Sequence, residues 1–266
     1  MRASDLQPIS TLTDAYLEQL GQPAATESWS TGLPDLDHLT GGLSPGKLWA
    51  ITGRPGSGKS LLALGMARHV AIDRGGRATV LTQRDTPEQQ ARRVLSAEAT
   101  VPLHHIRDGR LSEATVSRLA VTAARLHGVA LHIAQASDPV MAALVLQVTE
   151  AGPPPHLVVV DSITAGHPLV ELRDLRQLAA TLRCAVVAVL AHVPSRPLQA
   201  AEEAATLGAD IVMRLDDWST STNRSGEADL VVTYHRDGPV TRIDLLNQMI
   251  YARFIPDGRS TRTAHG

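Results

Sequence analysis

Cysteine is nearly absent from this sequence of 266 residues, since Cys184 is the only one. A lone cysteine excludes a disulfide framework and a zinc site built from cysteines, and it is typical of a reducing compartment. No apolar run approaches the roughly 20 residues of a membrane-spanning helix, and the first residues lack the apolar core of a signal peptide. We therefore expect a cytoplasmic protein that makes no membrane contact.

Lysine and aromatic residues are also scarce. Only Lys47 and Lys59 among the 25 basic residues are lysines, and aromatic residues make up 3% of the chain. The core must therefore consist of alanine, valine, leucine and isoleucine. With 27 acidic residues, the formal net charge of −2 excludes a generally basic surface for nucleic acid, although it allows a local basic groove.

The chain is predicted to divide into an arm at residues 1–30, one domain at residues 31–258 and a disordered tail at residues 259–266. Within the arm, residues 11–20 have the periodicity of a short helix. Such a helix is too short to be stable alone, so it must dock on its own domain or on another subunit. The apolar side of the helix consists of Leu12, Tyr16, Leu17 and Leu20.

From residue 48 onward, apolar segments of strand length alternate with segments of helical period. This alternation predicts an α/β domain with a mostly parallel central sheet flanked by helices. The predicted strands lie at residues 48–52, 79–82, 130–134, 157–160 and 185–191, and predicted helices begin near residues 59, 86, 112, 138 and 169. After Asp210 the apolar period shortens towards two, which predicts antiparallel strands at 211–215, 230–234 and 241–246 that complete the sheet.

A phosphate-binding loop pattern, GxxxxGK[ST], lies between the first predicted strand and the first predicted helix. Its glycines let backbone N–H groups surround the β-phosphate, and the helix N-terminus favours negative charge. The lysine would reach the β- and γ-phosphates, and the final hydroxyl would bind Mg²⁺. The pattern therefore predicts an ATP site at Gly53, Arg54, Pro55, Gly56, Ser57, Gly58, Lys59 and Ser60.

Asp161 directly follows the apolar segment at residues 157–160. A buried strand of this kind delivers a carboxylate to the carboxyl edge of the sheet, where the phosphate-binding loop requires a second acidic group to orient the metal. Taken alone, the pattern is equally typical of a helix N-cap. Together with the loop, it predicts that Ser60 and Asp161 bind Mg²⁺.

Six segments carry a resemblance to a known family. They are Ser30–Leu48, Arg54–Ser60, Val101–Leu111, Asp210–Met213, His235–Pro239 and Tyr251–Phe254. In this order they resemble the C-terminal motor domain of DnaB-type replicative DNA helicases. The resemblance extends over about residues 11–255.

The resemblance implies a RecA-like P-loop NTPase fold and a 5′–3′ DNA helicase that hydrolyses ATP during replication. It also implies a homo-oligomeric ring, expected to be a hexamer, with ATP between subunits. The helix at residues 11–20 would then be the linker helix that packs on the next subunit. Single-stranded DNA and a replication or loader protein are the implied partners, and the family's N-terminal, primase-facing domain is expected to be absent.

The sequence departs from the family where a glutamate polarises the attacking water. Alignment of the segment after the second strand places Arg84 at that position, and a register shifted by one residue offers Asp85 instead. Arginine stays protonated and cannot act as a general base, whereas the aspartate is shorter than glutamate by one methylene. A third interpretation is that this segment is a solvated turn and that the base lies elsewhere.

Two more positions with implied roles have changed. The family has a γ-phosphate-sensing glutamine where this chain has His192, which can still donate a hydrogen bond or can be a buried structural histidine. The family also projects a lysine and an arginine into its neighbour's ATP site, and these positions hold Tyr234 and Arg236. Arg236 would act on the γ-phosphate in trans, unless it is an ordinary residue at a strand end. Tyr234 has no positive charge, so half of that pair is missing.

The implied DNA-binding loops also provide few contacts. They correspond to residues 162–168 and 193–200, and Arg196 is their only arginine or lysine. Backbone binding needs several phosphate contacts or aromatic stacking platforms, so we expect at most weak binding of single-stranded DNA. The sequence thus favours a DnaB-like ATPase with impaired hydrolysis. The alternative is a hydrolysis-deficient regulatory or scaffold protein that does not unwind DNA.

Overall fold

The computed structural model describes residues 8–19, 28–135, 152–163, 168–190, 205, 208–217 and 224–258. The described residues contain one sheet with nine strands. These are β1 (Leu48–Gly53), β2 (Ala78–Thr82), β3 (Leu131–Gln135), β4 (Leu157–Ile163), β5 (Ala185–Leu190), β6 (Ile211–Asp217), β7 (Glu227–His235), β8 (Thr241–Gln248) and β9 (Arg253–Pro256).

The strand order in the sheet is β3-β2-β4-β5-β1-β6-β7-β8-β9. The first six strands of this order are parallel to their neighbours, and the last three are antiparallel additions. This arrangement confirms the predicted mostly parallel sheet with antiparallel strands at its C-terminal end.

The described helices are α1 (Ile9–Gln19), α2 (Pro34–Thr40), α3 (Lys59–Arg68), α4 (Pro87–Ala99), α5 (Leu103–Asp108), α6 (Glu113–Arg125) and α7 (Pro168–Leu182). The predicted helix at residues 59–73 is α-helical only in its first part, because its last turn, His69–Asp73, is a π-helix. The helix predicted from residue 138 lies outside the described residues. Sequence periodicity did not predict α2, α5 and β9, which have only seven, six and four residues.

The core has two layers, one on each face of the sheet. Along β1, Trp49 and Ile51 belong to the layer that packs on α3, whereas Leu48 and Ala50 belong to the layer that packs on α7. Nearly all the other members of both layers are aliphatic, as the shortage of aromatic residues predicts. None of the helices in the described part of the chain is long and apolar enough to cross a membrane.

Trp29 and Ser30 lie within the predicted arm and contact residues of the domain. Trp29 forms a β-bridge with Leu43, and its ring stacks on His156 with 4.2 Å between ring centroids. The Ser30 hydroxyl donates a hydrogen bond of 2.6 Å to Asp37 in α2. Trp29 and Ser30 therefore pack with the domain rather than with the arm.

Candidate nucleotide-binding site

The carboxyl ends of β1, β2 and β4 meet at one edge of the sheet because these strands are parallel. A cleft of about 450 Å³ opens there, between the β1–α3 loop and the β2–α4 loop. It is lined by Pro55, Gly56, Gly58, Lys59, Ser60, Leu61, Arg84, Asp85, Arg93, Leu103, Asp161, Ser162, Val189 and Met249. The structure therefore brings most of the predicted loop, both candidate residues of the β2–α4 loop and Asp161 into one site.

The phosphate-binding loop needs glycine at Gly58 for two reasons. Its φ is +92°, in the left-handed region that side chains rarely adopt. A Cβ atom there would also lie 2.7 Å from the Phe254 ring and 2.9 Å from Met249. β9 and the turn before it thus pack directly on the loop at Gly58.

Lys59 begins α3 and is 7% exposed. Its ammonium donates hydrogen bonds to the carbonyl oxygens of Gly53 (2.8 Å) and Arg54 (2.9 Å). Burial lowers the pKa of Lys59, the Asp161 carboxylate acts in the opposite direction, and the charge of Arg84 lowers the pKa further. The loop therefore holds a partly desolvated cation that an anionic ligand would stabilise.

Ser60 and Asp161 form the candidate metal site. The Ser60 hydroxyl donates a hydrogen bond of 2.8 Å to Oδ1 of Asp161. Burial raises the pKa of Asp161, while the hydrogen bond from Ser60 lowers it in part and the nearby Asp85 raises it further. Hydroxyl and carboxylate oxygens are ligands that Mg²⁺ prefers, so these two residues fit the ion that accompanies a nucleotide.

The β2–α4 loop brings two charged residues to the cleft, an exposed arginine and an aspartate that is ion-paired. Arg84 is exposed and has no ion pair with any described residue. Asp85 forms an ion pair with Arg93 of α4 and accepts a hydrogen bond of 3.3 Å from Gln90. A capping box formed by Thr86 and Gln89 fixes the start of α4 and so fixes the position of this loop.

Arg236 and Tyr234 lie at the opposite edge of the sheet, where the parallel strands β1 and β6 begin. In the strand register, Trp49 at the start of β1 lies beside Ile211, and Ile211 pairs with His235, next to Arg236. Gly53 at the phosphate-binding end of β1 lies beside Leu215 instead. The structure therefore separates Arg236 from the cleft of its own chain.

Asp210 organises this opposite edge, and sequence reasoning did not predict its role. Its side chain is 2% exposed and forms ion pairs with Lys47, Arg176 and Arg236. The backbone N–H of Leu48 also donates a hydrogen bond of 2.9 Å to it. Four chain segments meet at this one carboxylate, and no local sequence pattern connects them. The pairing of Arg93 with Asp85 was missed for the same reason.

Three predicted features of the site lie outside the described residues, as do the helix from residue 138 and the tail at residues 259–266. They are His192, the loop with Arg196, and the part of the first DNA-binding loop at residues 164–167. Their predicted roles stay predictions.

A family of known proteins matches most of the chain. A sequence profile of the DnaB-like helicase C-terminal domain matches residues 29–256. The chain is 28% identical to replicative DNA helicase DnaB of Leifsonia xyli subsp. xyli over 94% of its own length and 61% of the relative's. For the DnaB of Treponema pallidum, the identity is 27% over 85% of the chain and 55% of the relative. The chain thus spans less than two thirds of the length of these relatives.

Two solved structures have the same fold. One is an isolated ATPase domain, which superimposes with a TM-score of 0.79 at 17% identity, over 93% of this chain and 97% of that domain. The other is a DnaB-like replicative helicase, studied with its interactions with primase. It gives a TM-score of 0.76 at 17% identity, over 94% of this chain and 67% of that one. These likenesses confirm the predicted RecA-like architecture.

Proposed function

The chain belongs to the DnaB-like helicase C-terminal domain family, and from this premise we propose that it is an ATP-binding motor domain with impaired hydrolysis. In this proposal it forms a homo-oligomeric ring, expected to be a hexamer, with ATP between subunits. The observation that carries the proposal is the contrast within the cleft. The groups for binding Mg-ATP are present, whereas the groups for activating water are changed.

The binding half rests on residues 53–60 and Asp161. Backbone N–H groups of the loop and the N-terminus of α3 bind the phosphates, and Lys59 neutralises their charge. Ser60 and Asp161 would hold Mg²⁺, which would supply positive charge to the phosphate groups. The buried Asp161 gains a cation that offsets its desolvation, and Lys59 gains an anion. Both gains support tight binding.

The hydrolytic half rests on the β2–α4 loop. Arg84 cannot accept a proton from water. Asp85 is a carboxylate, but its Oδ2 atom already accepts hydrogen bonds from Arg93 and Gln90, and the ion pair with Arg93 offsets its charge. The loss of a general base typically slows a reaction by about 10²- to 10⁴-fold. We therefore expect binding of ATP with slow turnover.

Two features support ATP sites between subunits. Arg236 lies at the opposite edge from the cleft of its own chain, so only the nucleotide of another copy is within its reach. In addition, α1 exposes Ile9 (75%) and Leu17 (63%), and an apolar groove of about 270 Å³ lies between α4, α6 and β3. We propose that α1 of one copy docks in this groove of the next, as a linker helix would.

The alternative function is a nucleotide-binding regulatory or scaffold protein of the replication machinery, which assembles with ATP and does not unwind DNA. The ion pair between Asp85 and Arg93 favours this alternative. Single-stranded DNA, a replication protein and a loader are the partners that either function would involve, and DNA binding is expected to be weak.

Steady-state ATP hydrolysis by the purified protein, with and without single-stranded DNA, tests the proposal. Lys59→Ala serves as the blank, and ATP binding is measured separately by fluorescence of a labelled analogue. Binding without turnover above the blank supports the regulatory alternative. Slow turnover above the blank supports the impaired motor. DNA-stimulated turnover near one per second, an ordinary enzymatic rate, would contradict the assigned effect of Arg84. Absence of ATP binding would refute both functions.

A further inference from the structure

Lys47 and Arg236 share one buried carboxylate oxygen. Oδ1 of Asp210 lies 3.7 Å from Nζ of Lys47 and 3.2 Å from Nη1 of Arg236. The side chains of the two cations are 36% and 40% exposed, respectively, whereas that of Asp210 is 2% exposed. Two cations thus project together from one anchoring point at the edge of the sheet opposite the cleft.

Asp210 does not depend on Lys47 for its charge balance. Arg176 pairs with its other oxygen, Arg236 pairs with Oδ1, and the Leu48 N–H donates to the same carboxylate. The nearer partner of Lys47 is Asp237, at 2.8 Å, and the side chain of Asp237 is 64% exposed. The ammonium of Lys47 is therefore held at the surface by a contact that solvent and other anions can reach.

We propose that Lys47 is the second cation of the trans site, and that it binds the triphosphate of a neighbouring copy's ATP together with Arg236. The inference rests on the proposed function, because it requires a nucleotide between copies. Tyr234 has no charge, so it cannot act as a second cation beside Arg236. Lys47 provides that charge from the segment before β1, and the Asp210 carboxylate lies beside both cations.

The exposed pair with Asp237 makes the exchange of partners feasible. Lys47 holds the pKa of Asp237 below its usual value, so the pair is charged near neutral pH. An exposed ion pair of this kind contributes little to stability. A triphosphate carries more negative charge than one carboxylate and would replace Asp237 at the ammonium, while Asp210 keeps Arg236 in place.

The experiment measures assembly of the full chain by analytical ultracentrifugation against the concentration of ATPγS, an analogue that is hydrolysed slowly. The Lys47→Ala variant is expected to raise the half-saturating concentration about tenfold, as is typical for loss of one charge-assisted contact. Arg242→Ala is the matched control, since Arg242 is 56% exposed and pairs with the partly exposed Asp244. Asp237→Asn is expected to act in the opposite direction from Lys47→Ala, because it frees the ammonium for phosphate.

The outcomes separate the inference from the function beneath it. Recovery of assembly in Lys47→Ala combined with Tyr234→Lys would support a role for the charge itself rather than for local packing. If Arg236→Ala weakens assembly while Lys47→Ala and Asp237→Asn behave like Arg242→Ala, the role of Lys47 is refuted and the trans site stands. If the unmodified protein binds ATPγS and does not assemble, the proposed function fails and the role of Lys47 fails with it.

Discussion

The Ser60 hydroxyl donates a 2.8 Å hydrogen bond to the carboxylate of Asp161, which joins the first turn of α3 to β4. Neither residue is fully solvated, and Asp161 is 5% exposed. The contact places two oxygen ligands side by side before any metal is bound. A site prepared in this way reduces the conformational cost of binding.

Replacement of Asp161 by asparagine is expected to stabilise the apoprotein and to remove metal-dependent binding. Burial raises the pKa of Asp161 above its value in the unfolded chain. At pH values above the unfolded pKa, ionisation of this carboxyl therefore lowers the free energy of unfolding. Asparagine removes that cost and can still accept the hydrogen bond from Ser60. In urea unfolding, Asp161→Asn should be the more stable protein at pH 7.5, and the difference should shrink as pH falls through the folded pKa.

The same variant should lose its response to ligand. The unmodified protein should gain about 2.7 kcal/mol in free energy of unfolding at a hundred times the Kd of Mg-ATP. Asp161→Asn should gain much less at that concentration. An equal gain in both proteins would exclude Asp161 from the metal site.

Arg84→Glu is expected to raise ATP turnover if Arg84 occupies the position of the water-activating residue. A restored general base typically raises the rate of hydrolysis by about 10²- to 10⁴-fold. The measurement is steady-state phosphate release, with Arg84→Gln as the control that removes the charge without adding a base. Equal rates in the glutamate and glutamine variants, with assembly intact, would contradict this assignment.

Arg93→Gln tests the competing register, in which Asp85 is the base. Arg93 forms the ion pair with Oδ2 of Asp85, so its replacement leaves the carboxylate, which already lines the cleft, with only the hydrogen bond from Gln90. Turnover should rise if Asp85 activates water, and it should stay at the level of the unmodified protein if Arg84 marks the catalytic position. Arg92→Gln is the matched control, because Arg92 precedes Arg93 in the same helix and donates to the carbonyl oxygen of Glu88 instead.

Gly58→Ala should abolish nucleotide binding. The left-handed backbone costs a non-glycine residue about 1–2 kcal/mol, and the added Cβ would also collide with Phe254 and Met249. Gly109→Ala is the control, because Gly109 has a φ of +68° and open space around it. Both variants should lose stability from backbone strain, and Gly58→Ala should lose more because of the collision. Only Gly58→Ala should fail to bind a fluorescent ATP analogue under conditions in which both proteins are folded.

The sequence predicted those parts of the site that depend on neighbouring residues in the chain. The loop at residues 53–60 follows a strand and begins a helix, so its geometry depends on adjacent residues. The apolar segment before Asp161 likewise predicts a buried strand that ends at this carboxylate. The Asp210 cluster could not be predicted, because Lys47, Arg176, Asp210 and Arg236 come from four separate elements. The short helix α5 and strand β9 have too few residues to show a period, although both contribute to the cleft or its support.

Because the cleft and Arg236 lie at opposite edges of one sheet, two defective variants are expected to complement each other. In a head-to-tail assembly, each interface takes its loop from one molecule and its cations from the next. In such an assembly, a copy that has lost Arg236 would keep an intact loop. The ATP site that lacks the arginine would be the one on its neighbour. Lys59→Ala and Arg236→Ala proteins, each defective alone, would therefore complement each other when mixed, since some interfaces would combine the sound half of each.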